Sequence, residues 1–130
     1  AWIGVQCFWN GAPDPAHPDA LRQAFMALII FLLPIVDTTA VSINRIARGS
    51  SPFVGGKDHT THHLGYAGLS DAQVAMVFAG LSAVNVLLGF VMLRFIGTWE
   101  PWHTAIFAAY AMIVFLALFI PTRRTKPPVE

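Results

Sequence analysis

Three histidines, His59, His62 and His63, crowd into five positions beside Lys57 and Asp58, in a protein with five histidines in all. On a helical turn their i, i+3, i+4 spacing puts the three rings on one face, and Gly55-Gly56 permits a backbone turn ahead of it. Neutral imidazoles bind zinc, although a closed site wants a fourth ligand and only Asp58 is near. Together with Arg48 and Lys57 the histidines can instead hold a phosphate or pyrophosphate through charge-assisted hydrogen bonds. A solvated polar loop with no special role is the third reading. The residues alone leave all three open.

Upstream, Asp37 follows directly on twelve apolar residues, Phe25 to Val36. A carboxylate at membrane depth is costly unless it is paired or wet. At about 100° per residue, Asp37, Val41, Asn44 and Arg48 fall within about 60° of one another on a helical wheel. They would form one polar stripe facing either the protein or an aqueous cleft. Either the stripe lines a site, or Asp37 anchors neighbouring helices while Arg45 and Arg48 enforce topology.

The elements that must carry these groups follow from composition. Of 130 residues, 55% are hydrophobic and only 12% charged. The charged share is about half that of a soluble domain, and the apolar residues gather into long runs, which makes lipid the solvent. Three segments, about 20–46, 72–96 and 104–120, can each cross a bilayer core of about 30 Å at about 1.5 Å per residue. The third has only Tyr110 as a polar interruption, whereas helices of a soluble bundle keep a polar face. The predicted fold is all-α: a polytopic membrane protein with three spans, a histidine-bearing loop over about 47–71, and a polar, disordered tail over 122–130. A net charge of +1 leaves no broad basic face for nucleic acid.

Local signals agree. Pro13, Pro15 and Pro18 break the chain before the first span, and Asp19 can cap its first turn. Pro34 inside that span favours a kink or is simply tolerated. Ser70-Asp71-Ala72-Gln73 has the spacing of a capping box. Gly97 closes the second span, Trp99 and Trp102 suit the headgroup region, and Pro121 is expected to end the third. Asn85 reads as a helix–helix contact. Arg45, Arg48 and Lys57 in the histidine loop, with Arg123, Arg124 and Lys126 in the tail, place both on the cytoplasmic side. Arg22 and Arg94 lie at the opposite ends of their helices and can snorkel to the outer interface. The opening Ala1 to Trp9 reads like the tail of a membrane helix whose start is missing, so the chain is expected to be the C-terminal part of a longer one. Cys7, the one cysteine, reads as a small buried apolar residue.

Three ordered blocks now resemble one family: Pro34-Ile35-Val36-Asp37-Thr38-Thr39, then Asn44-Arg45-Ile46-Ala47-Arg48-Gly49-Ser50-Ser51-Pro52-Phe53, then Lys57-Asp58-His59-Thr60-Thr61-His62-His63-Leu64. The family is the polyprenyl-phosphate N-acetylhexosamine-1-phosphate transferases, grouped with the phospho-N-acetylmuramoyl-pentapeptide transferases as glycosyltransferase family 4. The resemblance implies transfer of a sugar-1-phosphate from a UDP-amino sugar to a polyprenyl phosphate, usually undecaprenyl phosphate, with release of UMP. It implies Mg²⁺, a cytoplasm-facing cleft and a bacterial inner membrane, in a pathway feeding an envelope polymer such as lipopolysaccharide or teichoic acid.

By motif match, His59, His62 and His63 are implied to contact the nucleotide-sugar phosphates or the metal site. Arg48 is an implied phosphate ligand and Arg45 a weaker one. Asn44 and Asp37 are site or structural residues. The histidine block looks more like the hexosamine branch, which points to GlcNAc-1-phosphate. The family's acidic pair for the metal is absent, since the sequence has no Asp-Asp. The expected picture is one wall of a site, inactive alone, whose main metal ligands and remaining helices lie upstream. Two other readings stand beside it: a small membrane subunit that binds a divalent metal or an anion through the histidine loop, and a transporter segment using Asp37 and the histidines as a proton relay.

Overall fold

Among residues 19–53 and 59–125, which the computed structural model describes, the chain forms five helices and no strand. They are α1 (Asp19–Ile30), α2 (Leu32–Ala47), α3 (Thr60–Tyr66), α4 (Asp71–Phe95) and α5 (Pro101–Arg124). The expectations for the opening Ala1 to Trp9, for Cys7, Pro13, Pro15 and Pro18, and for Gly55, Gly56, Lys57, Asp58 and Lys126 lie outside the described residues.

Helices α4 and α5 are each long and apolar enough to cross a membrane, and α1 with α2 adds a third candidate span, bent by 73° at the break between them. The break has a chemical cause. Pro34 has no N–H to give to Ile30, four residues back, and its ring crowds that carbonyl. The bonds either side survive, from Phe31 N–H to the Ala27 carbonyl at 3.0 Å and from Ile35 N–H to the Phe31 carbonyl at 3.1 Å. One residue, Phe31, separates the two helices, so of the two readings of Pro34 it is the kink that the structure shows.

The helix ends follow local rules. Helix α2 closes in a Schellman motif: Gly49 takes φ +71°, its N–H reaches the Ile46 carbonyl, and Ser50 N–H reaches the Arg45 carbonyl. Helix α3 closes the same way through Gly68, at φ +101°, with Leu69 N–H on the Leu64 carbonyl. The chain then turns at once into α4, whose N-terminus carries the expected reciprocal capping box between Ser70 and Gln73.

Helix α1 packs mainly on α4, and α2 and α3 mainly on α5. The buried seam runs through Met26, Ile29, Val36, Met92, Val114 and Leu118. Gly89 lets α4 approach α1 closely, since a Cβ there would lie 3.3 Å from the Ile30 side chain. Lipid tails are as apolar as leucine, so close packing and interhelical hydrogen bonds must hold such helices together. Asn85 supplies one, accepting from the Tyr110 hydroxyl at 2.7 Å, as expected of a helix–helix contact.

Two expectations, for Pro121 and for the start of the tail, are corrected. Pro121 does not end the last span: the helix continues to Arg124. Proline there has no N–H to give to Ala117, four residues back, and its ring crowds that carbonyl, yet three more helical residues follow it. Thr122 to Arg124, assigned by sequence to a disordered tail, therefore form its last turn, and Thr122 is buried. Trp99 faces the bundle and not its surroundings. It is buried, stacked between Phe25 of α1 and Phe107 of α5, with its indole N–H on the Thr104 hydroxyl at 2.9 Å. Trp102 is the exposed one of the pair. Arg22 donates to the Ile96 carbonyl at 2.9 Å, so it caps the end of α4 across the bundle.

Candidate functional site

The polar stripe of α2 meets the histidine helix. Asp37 is half-buried, and its Oδ1 accepts both the backbone N–H and the hydroxyl of Thr60, each at 2.7 Å. Its Oδ2 lies 2.7 Å from His59 Nδ1. The carboxylate thus supplies from α2 what α3 lacks locally, because His59, the residue before the helix, makes no side-chain cap. Further along the stripe Val41 and Asn44 are buried, and Asn44 Nδ2 donates to the Thr122 hydroxyl of α5 at 2.7 Å.

The three histidines do not share one face. His59 precedes the helix with an extended backbone (φ −67°, ψ 149°), so the helical register does not reach it. Its side chain and that of His62 are exposed, with ring centroids 6.4 Å apart, and His62 stacks on Tyr66 one turn on. His63 turns inward, 1% exposed, with Nδ1 2.7 Å from Thr125 Oγ1 beyond the end of α5. This bond sets the histidine helix at the same end of the bundle as Arg123 and Arg124, the arrangement the charge pattern requires.

The two arginines separate as well. Arg45 is buried, and its guanidinium reaches the Pro52 carbonyl at 3.4 Å, bracing the Ser51-Pro52-Phe53 loop. Arg48 caps α2 and is exposed. Of the residues singled out by sequence, then, Asp37 and His59 come together, His62 and Arg48 are exposed, and Asn44, Arg45 and His63 are internal. Thr60, Thr122 and Thr125 were missed. Thr60 sits inside the histidine block and marks itself only as a hydroxyl among the rings. Thr122 continues the buried register Phe107, Val114, Leu118, a signal hidden in a helix apolar on every side.

Chemically the arrangement is a polar edge on which the Asp37 carboxylate holds Thr60 and faces the exposed His59. Among the described residues no group of three or more His, Cys, Asp or Glu side chains gathers to hold a metal ion. Both Asp37 oxygens already accept or face hydrogen bonds.

Fold and site together define a class: a helical membrane protein with a carboxylate–threonine–histidine cluster at one end of its spans. The sequence comparisons are narrower. Over 124 residues, 90% of the chain, it is 28% identical to the undecaprenyl-phosphate alpha-N-acetylglucosaminyl 1-phosphate transferase of Haemophilus influenzae, covering 32% of that protein. It is 26% identical over 128 residues to the protein of the same name from Pasteurella multocida, with 93% of the chain and 33% of the relative covered. A third, from Yersinia pestis, is 29% identical over 102 residues, 75% of the chain and 27% of the relative. All three carry the name of the family that the motifs resemble. The chain spans about a third of the length of the curated relatives it matches. No family model matches it, and no solved structure matches it.

Proposed function

We propose that this chain is part of a membrane phosphoglycosyltransferase. The whole enzyme would move N-acetylglucosamine-1-phosphate from a UDP-sugar to undecaprenyl phosphate, releasing UMP, in envelope polysaccharide synthesis. The observation that carries the reading is that three relatives of one name align with most of the chain, across the blocks that hold Asp37, Arg48 and the histidines.

The chemistry fits the exposed groups. Two anionic substrates must meet, and the pyrophosphate has to be offset by hydrogen-bond donors and positive charge. His59, His62 and Arg48 are the groups placed to do so at the surface, by charge-assisted hydrogen bonds. His63, Asn44 and Arg45 are internal, and their part is to hold the helices that carry the others. The excess of arginine at this end supports a cytoplasmic loop and a cytoplasmic end of α5, where a nucleotide sugar is available, in a protein of the bacterial inner membrane.

Mg²⁺ takes hard oxygen ligands in near-octahedral geometry. The described residues do not fit such a centre, because they hold no carboxylate cluster and Asp37 is committed to Thr60 and His59. We place the Mg²⁺ ligands on other parts of the transferase, so this chain alone should be inactive.

The test is a transfer assay in membranes that contain the full-length gene product. UMP release from UDP-GlcNAc with undecaprenyl phosphate and Mg²⁺ is compared for the wild type, His59→Ala and His62→Ala. Active wild type and variants reduced about 100-fold or more at equal expression are expected. Intact variants would remove the histidines from the site. A wild type inactive with every UDP-amino sugar would turn the reading to a membrane subunit that binds an anion through the same loop.

A further inference from the structure

Asp37 does more than satisfy a polar group at membrane depth. Three contacts of 2.7 Å join its carboxylate to the start of α3: two from Thr60 to Oδ1 and one between Oδ2 and His59 Nδ1. Thr60 is fully buried, whereas the His59 side chain is 56% exposed. One end of the cluster is therefore fixed in the protein and the other is open to a ligand. An imidazole whose Nδ1 faces a carboxylate is fixed in its ring orientation and leaves Nε2 for the next partner.

We propose that Asp37 is a positioning residue for sugar-phosphate transfer: from α2 it fixes the first residue of the histidine helix and orients His59 so that, as the imidazolium, it donates from Nδ1 to Asp37 and from Nε2 to the phosphate of the substrate. This rests on the transferase reading above. Asp37 itself touches no reacting atom, and no proton moves in the role assigned to it. A plain helix anchor would use only the Thr60 contacts, and the bond to His59 would then be incidental.

Asp37→Asn separates the two roles. The amide oxygen still accepts both bonds from Thr60, so the anchor is kept. The amide nitrogen now faces His59 Nδ1 as a donor, which reverses the tautomer that the neutral ring must adopt. The full-length protein with isotope-labelled histidine, recorded by NMR at alkaline pH with His59→Ala to assign the signal, is expected to hold its proton on Nδ1 in the wild type and on Nε2 in Asp37→Asn.

The matching kinetic experiment is a double-mutant cycle. Asp37→Asn is expected to lower kcat/KM by about 10–100-fold, as loss of an orienting partner behind a functional histidine does, with thermal stability close to wild type. In the His59→Ala background the same change should cost less than about 3-fold, because its route to the substrate is gone. Multiplicative losses, or an unchanged tautomer, would overturn the positioning role. An inactive wild type would overturn the transferase reading and the catalytic meaning of Asp37 with it, while the NMR result would still decide whether the two side chains are paired.

Discussion

His63 Nδ1 and Thr125 Oγ1, 62 residues apart in the chain, lie 2.7 Å from each other. The hydroxyl has a single hydrogen and faces the carbonyls of Pro121 at 2.9 Å and His63 at 3.5 Å; with that hydrogen on the Pro121 carbonyl the oxygen accepts from His63, and on this choice the imidazole proton is assigned to Nδ1. The last helix is thereby tied to the middle of the histidine helix, which Asp37 holds at its start. Thr125→Val keeps the shape and removes the acceptor, leaving a buried N–H unsatisfied at about 1–3 kcal/mol. Thermal unfolding of the full-length protein in detergent should show that loss for Thr125→Val and little change for Thr125→Ser. Equal behaviour of the two variants would mean that the hydroxyl does not hold α3.

Gly49 occupies φ +71° with open space where a Cβ would go, so a substitution there is opposed by backbone strain and not by crowding. The cost of Gly49→Ala is expected at about 1–2 kcal/mol, less than a core truncation. The strain falls between α2 and the Ser51-Pro52-Phe53 loop that Arg45 braces. Activity in the transfer assay should therefore fall further than stability does. Gly65→Ala, at a position inside α3 with equally open surroundings and an ordinary helical backbone, should be neutral or slightly stabilising. Indistinguishable melting curves for the two variants would refute the strain argument.

Composition and run length made the spans legible, because an 18-residue apolar stretch in lipid has few alternatives to a helix. The capping box at Ser70 was legible because its signal lies within four residues. The inward turn of His63 was not, since the i, i+3, i+4 rule treats all three rings as helical while His59 lies outside the helix. The partners of Asp37 and Asn44 were illegible for another reason. Thr60 and Thr122 stand 23 and 78 residues away, and nothing local marks which hydroxyl a buried polar group will meet. Pro121 misled because proline is read as a stop, although here the helix continues for three residues beyond it.

Pro34 makes a prediction about shape. A straight helix from Leu21 to Ile46 would put these exposed positions about 38 Å apart at about 1.5 Å per residue. Two segments meeting at the 73° bend bring them to about 30 Å by the same rise. Spin labels at the two sites in the full-length protein should report the shorter distance. In Pro34→Ala the restored N–H can bond Ile30, and the distance should move toward the longer value. A wild-type distance near that of the straight helix would contradict the broken span.

The pairing of Asn85 with Tyr110 can be measured free of the histidine site. Asn85 is 2% exposed and lies in the middle of a largely apolar span; its Oδ1 accepts from Tyr110, and its Nδ2 has no partner among the described residues. Interhelical bonds in membranes are worth about 0.6 kcal/mol on average, with a maximum near 1.7, because the separated helices also find partners. Tyr110→Phe should therefore lower stability by about 1 kcal/mol. Asn85→Leu removes the acceptor together with the unsatisfied amide, so its cost should be smaller, and in that background Tyr110→Phe should add almost nothing. Chemical or thermal unfolding of the four proteins reads this directly. Additive losses would mean that the two groups act separately, and that α4 and α5 are held together by packing alone.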